Sequence, residues 1–224
     1  AMHVDVFVMR DSEPGLPAFV AAHVQPHVSV LNAGEAHISH PTQGLLDVLT
    51  IRQRKGTDFG SLSVAIVGDV RHSRVARSTG TALQTLGVGE LRLVCPAELM
   101  PDAGELPGAR RCTALDEGLR GADVVMALRI QKERMDTRRI PDIEAFLREW
   151  GVTERSIQLA HRDAVVLHPG PMNRGVEITS GIADGAQSAV QQQVRNGVAV
   201  RMAVLATIVR NVQLRNVEAG RREG

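Results

Sequence analysis

Leu62-Ser63-Val64-Ala65-Ile66-Val67-Gly68-Asp69-Val70-Arg71-His72-Ser73-Arg74 is the stretch whose reading decides the fold. It opens as a short apolar run bounded by Gly68, the pattern of a strand buried on both faces. From Arg74 to Leu86 apolar residues recur at three- and four-residue intervals, as on a helix with one packed face. A buried strand followed directly by a helix is half of a parallel crossover unit, and the same alternation extends in both directions. Val4–Met9, Val28–Leu31, Leu91–Val94, Val124–Ala127 and Val165–Leu167 read as further strands. Pro14–Val24, Pro41–Arg54, Pro141–Trp150 and Ser188–Val212 read as helices, several opening with Pro or Ser as helix starts do. The expectation is an α/β protein built on parallel sheets, with ligands bound beyond the carboxyl ends of the strands. A polar, glycine-containing stretch, Lys55-Gly56-Thr57-Asp58-Phe59-Gly60, marks a domain boundary.

Composition narrows the function classes. The chain has 224 residues, 43% of them hydrophobic, enough for a packed core. Its 26 basic and 25 acidic residues leave a net charge of +1, no field suited to nucleic acid or an anionic membrane. Aromatic content of 2%, without a tyrosine, argues against base-stacking platforms. No unbroken apolar run reaches the roughly 18 residues a membrane span requires. Cys95 and Cys112 match no metal-ligand spacing, the eight histidines are scattered, and Asp69 with His72 makes no credible metal set. A reducing cytoplasm is the simplest compartment.

Four motifs carry chemistry, and all fall at strand ends or helix starts. His40-Pro41-Thr42-Gln43 puts an imidazole and a carboxamide one turn apart at a helix start, where free N–H groups and the dipole favour an anion. His168-Pro169-Gly170-Pro171 follows an apolar strand, so its backbone is placed to line the opposite wall of one cleft. Gly68–Arg74 and Arg129-Ile130-Gln131-Lys132-Glu133-Arg134 lie between them and add guanidinium groups, which bind oxyanions bidentately. A nucleotide-type phosphate site at Arg74 is the alternative, but G-x-G-x-x-G is absent. Arg10 and Arg129 also read as surface ion-pair residues, Arg129 with Asp123 or Glu133. Together the motifs describe an anion-handling transferase.

In this order the four motifs resemble the aspartate carbamoyltransferases, within the aspartate/ornithine carbamoyltransferase family, from Val6-Phe7-Val8-Met9-Arg10 to the C-terminal helix. The resemblance implies two parallel-sheet α/β domains of the carbamoyltransferase type, the first incomplete: 1–55 the end of a carbamoyl-phosphate domain, 56–187 an aspartate domain, 188–224 a helix returning to the first. It implies carbamoyl transfer from carbamoyl phosphate to L-aspartate. Arg10 and His40 would be catalytic. Arg10, His40, Gln43, Gly170 and Pro171 would hold carbamoyl phosphate, the last two through backbone carbonyls. Arg74 and Gln131 would take one aspartate carboxylate and Arg129 the other. No metal or cofactor is implied. The implied partners are a homotrimer, with dihydroorotase or regulatory chains as further candidates.

The family's upstream Ser-Thr-Arg-Thr motif has no counterpart here, which implies a chain truncated at its N-terminus. Asp11 replaces a usual histidine, and Ala36 a usual glycine. The alternatives are ornithine carbamoyltransferase, which usually reads His-Pro-Cys-Gln and His-Cys-Leu-Pro, and a noncatalytic carbamoyltransferase-like subunit in a dihydroorotase complex. Lys132, Glu133 and Arg134 read as a charge network beside a mobile loop over Met135–Pro141. His168, Arg174 and Glu177 read as structural.

Overall fold

Two parallel sheets hold the chain's strands in a computed structural model that describes residues 4–130 and 142–220, with side chains up to 214. The first sheet pairs β1 (Val6–Asp11) with β2 (Ser29–Glu35), connected by α1 (Leu16–His23). Next comes α2 (Pro41–Lys55), whose Pro41 occupies the first turn, where no N–H is needed. The second sheet has the order β5-β4-β3-β6-β7, every pair parallel. Its strands are β3 (Ser63–Gly68), β4 (Glu90–Val94), β5 (Arg110–Cys112), β6 (Val124–Leu128) and β7 (Val165–Leu167). The helices α3 (Arg74–Thr85), α4 (Leu115–Leu119), α5 (Ile143–Trp150), α6 (Ser180–Ala183) and α7 (Val190–Gly220) complete the order.

The central strands are buried on both faces, and their side chains alternate between two apolar layers. Val64 and Ile66 of β3 join Leu83, Leu93, Met126 and Leu167 on one side. Ala65 and Val67 join Val94, Val125, Val166 and Ile178 on the other. This period of two explains why the strands read as continuous apolar runs. Ser73 caps α3, its hydroxyl accepting from the Ala76 N–H at 3.1 Å. Gly44 lets α2 approach α3 closely, because a Cβ there would lie 2.7 Å from the Ser78 carbonyl oxygen.

Three elements differ from the sequence reading. β5 is an edge strand of Arg-Arg-Cys, too short and too polar to show a strand pattern. The five-residue α4 and four-residue α6 are likewise shorter than a hydrophobic period can reveal. Over Val190–Leu214, α7 is long and apolar enough, by length and composition, to cross a membrane. The unbroken-run criterion misses it because Arg195, Arg201 and Arg210 interrupt the sequence. One side of α7 packs on α2 through buried polar contacts: Gln193 donates to Asp47 at 2.8 Å and Asn196 to Thr50 at 2.8 Å. Another side leaves Val194, Val198 and Met202 more than half exposed, at 63%, 60% and 66%. Phe7 and Val8 of β1 and Phe19 of α1 are also exposed, as expected of a two-stranded sheet that has so little to pack against.

Candidate functional site

The carboxyl ends of the strands collect the motifs. Arg10 is the penultimate residue of β1, and Asn32-Ala33-Gly34-Glu35 ends β2. Gly68 to Arg74 leads out of β3, Arg129 follows β6, and His168 to Pro171 follows β7, so neighbouring strands β3, β6 and β7 present three motifs along one edge.

Gly34 is the point on which two guanidinium groups converge. A Cβ built there would lie 3.1 Å from Arg74 Cζ and 3.2 Å from Arg10 Nη1, and its φ of +126° is a left-handed conformation that suits glycine. Both arginines are aimed by backbone acceptors. Arg10 Nη1 donates to the Ala33 carbonyl at 3.3 Å, and Arg74 Nη1 to the Ala36 carbonyl at 3.1 Å. Ala36 adopts a φ of +41°, so this position does require the left-handed region that glycine would occupy without strain. One carboxylate oxygen of Asp11 accepts from the Glu13 N–H at 2.7 Å. A cavity of about 350 Å³ lined by Ser12, Ala36, His37 and His72 opens here. A larger hollow of about 470 Å³ is lined mostly by apolar residues, Leu45, Val48, Leu49, Phe59 and Leu86, with Arg52 and Thr57, and holds none of the motif residues.

His40 is the N-cap of α2, held by its backbone N–H donating to Ser78 Oγ at 2.8 Å. Burial pushes its imidazole down to about 4, and the positive charges of Arg74, Arg10 and Arg201 push in the same direction. The ring is therefore neutral at pH 7, and its buried Nδ1 has no hydrogen-bond partner among the described residues. A neutral imidazole among cations offers a hydrogen bond to a polarised oxygen; it is poorly suited to act as a base.

Behind His40 runs a buried polar chain. Gln43 Nε2 donates to Asp47 Oδ1 at 2.9 Å, Gln193 Nε2 donates to the same oxygen at 2.8 Å, and Thr79 Oγ1 donates to Oδ2 at 2.6 Å. Burial raises the Asp47 carboxyl to about 6, opposed by the hydrogen bonds from Thr79, Gln193 and Gln43. Gln193 Oε1 in turn accepts the backbone N–H of His168 at 2.9 Å. His168 Nδ1 accepts from the Gly170 N–H at 2.9 Å, which places the ring proton on Nε2, 3.1 Å from Glu177 Oε1. Glu177 Oε1 also accepts the Asn173 N–H at 2.5 Å. His168 and Glu177 thus fix the loop that carries Gly170 and Pro171, whose shared peptide bond is cis. Arg174 makes a two-pronged pair with Asp184, at 2.6 and 2.9 Å.

The structure brings Arg10 and Arg74 together at Gly34, within electrostatic reach of His40, and joins Gln43 to the His168 loop through Asp47 and Gln193. Arg129 is half-buried at the shared edge. Gln131, Lys132, Glu133, Arg134 and the expected loop over Met135–Pro141 lie outside the described residues. Asp47, Gln193 and Arg201 are contributors that the motif reading missed. For Asp47 a signal existed: it follows Gln43 by four residues, on the face of α2 that also buries Leu46 and Ile51.

Comparison with known proteins supplies the context. Residues 61–208 match the model of the aspartate/ornithine carbamoyltransferase Asp/Orn binding domain, and residues 1–53 that of the carbamoyl-P binding domain. The chain is 54% identical over 209 residues to the aspartate carbamoyltransferase catalytic subunit of Xanthomonas euvesicatoria pv. vesicatoria (strain 85-10). That match covers 93% of this chain but 66% of the relative, a little under two thirds of its length. Among solved structures, ornithine carbamoyltransferase from Thermus thermophilus superposes with a TM-score of 0.79 at 25% identity, covering 92% of this chain and 67% of that one. Aspartate transcarbamoylase from Trypanosoma cruzi in complex with N-(phosphonacetyl)-L-aspartic acid gives 0.77 at 29% identity, covering 90% and 65%. The same enzyme with carbamoyl phosphate gives 0.77 at 29%, covering 91% and 66%.

Proposed function

Since this chain belongs to the aspartate/ornithine carbamoyltransferase family, we propose that it carries much of a site that transfers the carbamoyl group of carbamoyl phosphate to the amine of L-aspartate, yielding N-carbamoyl-L-aspartate and phosphate. The observation that carries this reading is the convergence of Arg10 and Arg74 on Gly34, beside a His40 ring kept neutral. Arg10 binds the phosphate end. His40 donates to the carbamoyl oxygen, where negative charge grows as the tetrahedral centre forms, and Gln43 accepts from the carbamoyl nitrogen. Arg74 and Arg129, with Gln131, hold the two carboxylates of aspartate, and the backbone carbonyls of Gly170 and Pro171 accept from the attacking amine and the carbamoyl nitrogen. The amine nitrogen bonds to the carbamoyl carbon, the carbon–oxygen bond to phosphate breaks, and the amine proton leaves on the phosphate. Orientation and prearranged positive charge supply most of the rate enhancement.

Residues 1–55 would serve carbamoyl phosphate and 56–187 aspartate, with 188–224 returning to the first part. The assembly we favour is a homotrimer, alone or with dihydroorotase or regulatory chains, acting in pyrimidine biosynthesis in the cytoplasm. Two free, buried cysteines support a reducing compartment. Thr42 in the His-Pro-Thr-Gln motif, Gly170-Pro171 in the His-Pro-Gly-Pro motif and the 54% identity to an aspartate carbamoyltransferase catalytic subunit favour aspartate over ornithine.

Binding tests this reading directly. Calorimetric titration with N-(phosphonacetyl)-L-aspartate is expected to show one site per chain, abolished by R74A. Binding of the corresponding ornithine derivative in its place would overturn the choice of acceptor.

A further inference from the structure

We propose that Asp47 is a positioning residue for this site: an acceptor-only carboxylate that fixes the orientation of two carboxamides, so that Gln43 presents oxygen, and not nitrogen, to the ligand. The inference deepens the carbamoyl-transfer reading and rests on it. Its starting point is a buried carboxylate shared by three elements, α2, α3 and α7, that touches no motif imidazole or guanidinium among the described contacts.

The orientation follows from donor and acceptor chemistry. An ionised carboxylate has no proton to give, so any carboxamide that reaches it must turn its nitrogen inward. Gln43 and Gln193 both do so, at 2.9 and 2.8 Å, and on the same oxygen, Oδ1. Gln43 Oε1 is then the remaining polar atom of that side chain. It selects a ligand with an N–H at this position and disfavours a methyl group or a carboxylate oxygen. Gln193 Oε1 is likewise committed, to the His168 backbone N–H at 2.9 Å, which anchors the loop carrying Gly170 and Pro171. A single carboxylate therefore sets the polarity of one wall and the position of the other. Thr79 occupies the second oxygen, Oδ2, at 2.6 Å and takes no part in either orientation.

Asn is a faithful substitute here and Leu is not. In D47N the carbonyl oxygen can take the place of Oδ1, while the new amide donates to a Thr79 hydroxyl that has rotated to accept. In D47L the side chain keeps its bulk but offers no acceptor, and Gln43 is free to turn over. T79V removes a partner of the same carboxylate without disturbing Oδ1.

The experiment compares carbamoyl phosphate with acetyl phosphate, which replaces the amide nitrogen by methyl, in calorimetric titrations of the 224-residue chain and these three variants. It also compares hydrogen exchange of the 15N-labelled Gln43 and Gln193 side-chain amides without ligand. The parent, D47N and T79V are expected to prefer carbamoyl phosphate and to keep both amides protected. D47L is expected to lose about tenfold of that preference, the scale of one hydrogen bond, and to lose amide protection. A D47L chain that keeps the preference or the protection, or a T79V chain that loses them equally, overturns the proposal. If the parent binds neither phosphate, the carbamoyl-transfer reading fails, and amide exchange still decides whether Asp47 orients Gln43. Circular dichroism confirms that each variant is folded.

Discussion

His40 caps α2 and Asp47 sits about two turns further along it, and their acid–base behaviour has opposite signs. His40 is held at about 4 against an ordinary 6.5. Between those values the unfolded chain takes up a proton and the folded chain does not, so this contribution to stability is lost as pH falls. Asp47 is raised to about 6 from 3.8. The folded chain therefore protonates first, and that contribution grows as pH falls through the same range. D47N, lacking the buried charge, is expected to gain stability over the parent, and to gain about 1 kcal/mol more at pH 7 than at pH 5 in urea unfolding. NMR titration of His40 is expected to give a midpoint near 4 in the free chain and a higher one when a phosphate dianion sits against Arg10 and Arg74. G34A is expected to weaken phosphonate binding at least tenfold, because its Cβ meets both guanidinium groups at a positive φ.

At the scale of elements, the long, strongly patterned pieces were legible and the short ones were not. β3, α3, β6 and α2 were visible because a doubly buried strand and a one-faced helix impose clear periods. β5, α4 and α6 owe their conformation to neighbours: β5 pairs its Arg-Arg-Cys with Arg92 to Val94 of β4, a tertiary fact with no local signature. Site legibility divides similarly. The motifs pointed to His40 and Arg74 and the family resemblance to Arg10, but nothing local could show that Gln193 meets Asp47 across 146 positions. The contact of α2 with α3 is equally specific. G44A is expected to cost about 1–3 kcal/mol in urea unfolding, since its Cβ would press on the Ser78 carbonyl at 2.7 Å and no flexible side chain is there to yield. By moving Ser78, the same substitution would also shift the His40 backbone that donates to it.

On the scale of the whole molecule, apolar surface is unevenly covered. The five-stranded sheet has both faces buried, whereas α7 exposes Val194, Val198 and Met202, and the β1–β2 sheet exposes Phe7 and Val8. Contiguous apolar surface of this kind drives association. V198E/M202E is expected to reduce the sedimentation-detected self-association of this chain while leaving its melting temperature within about 2 °C, because neither side chain is buried.

The link from Asp47 to α7 also sets an order of events during synthesis. Thr79 stands 32 positions from Asp47 and is available early, but Gln193 and Asn196 each reach back 146 positions to α2. Until the ribosome has released those residues, the nascent chain holds a carboxylate at its future core with a donor missing, and the loop bearing Gly170 lacks its anchor. Contacts of such long range form late. The site is therefore assembled last, by the tail end of the chain, and a polypeptide stopped short of residue 193 would hold every motif without the clasp that joins them.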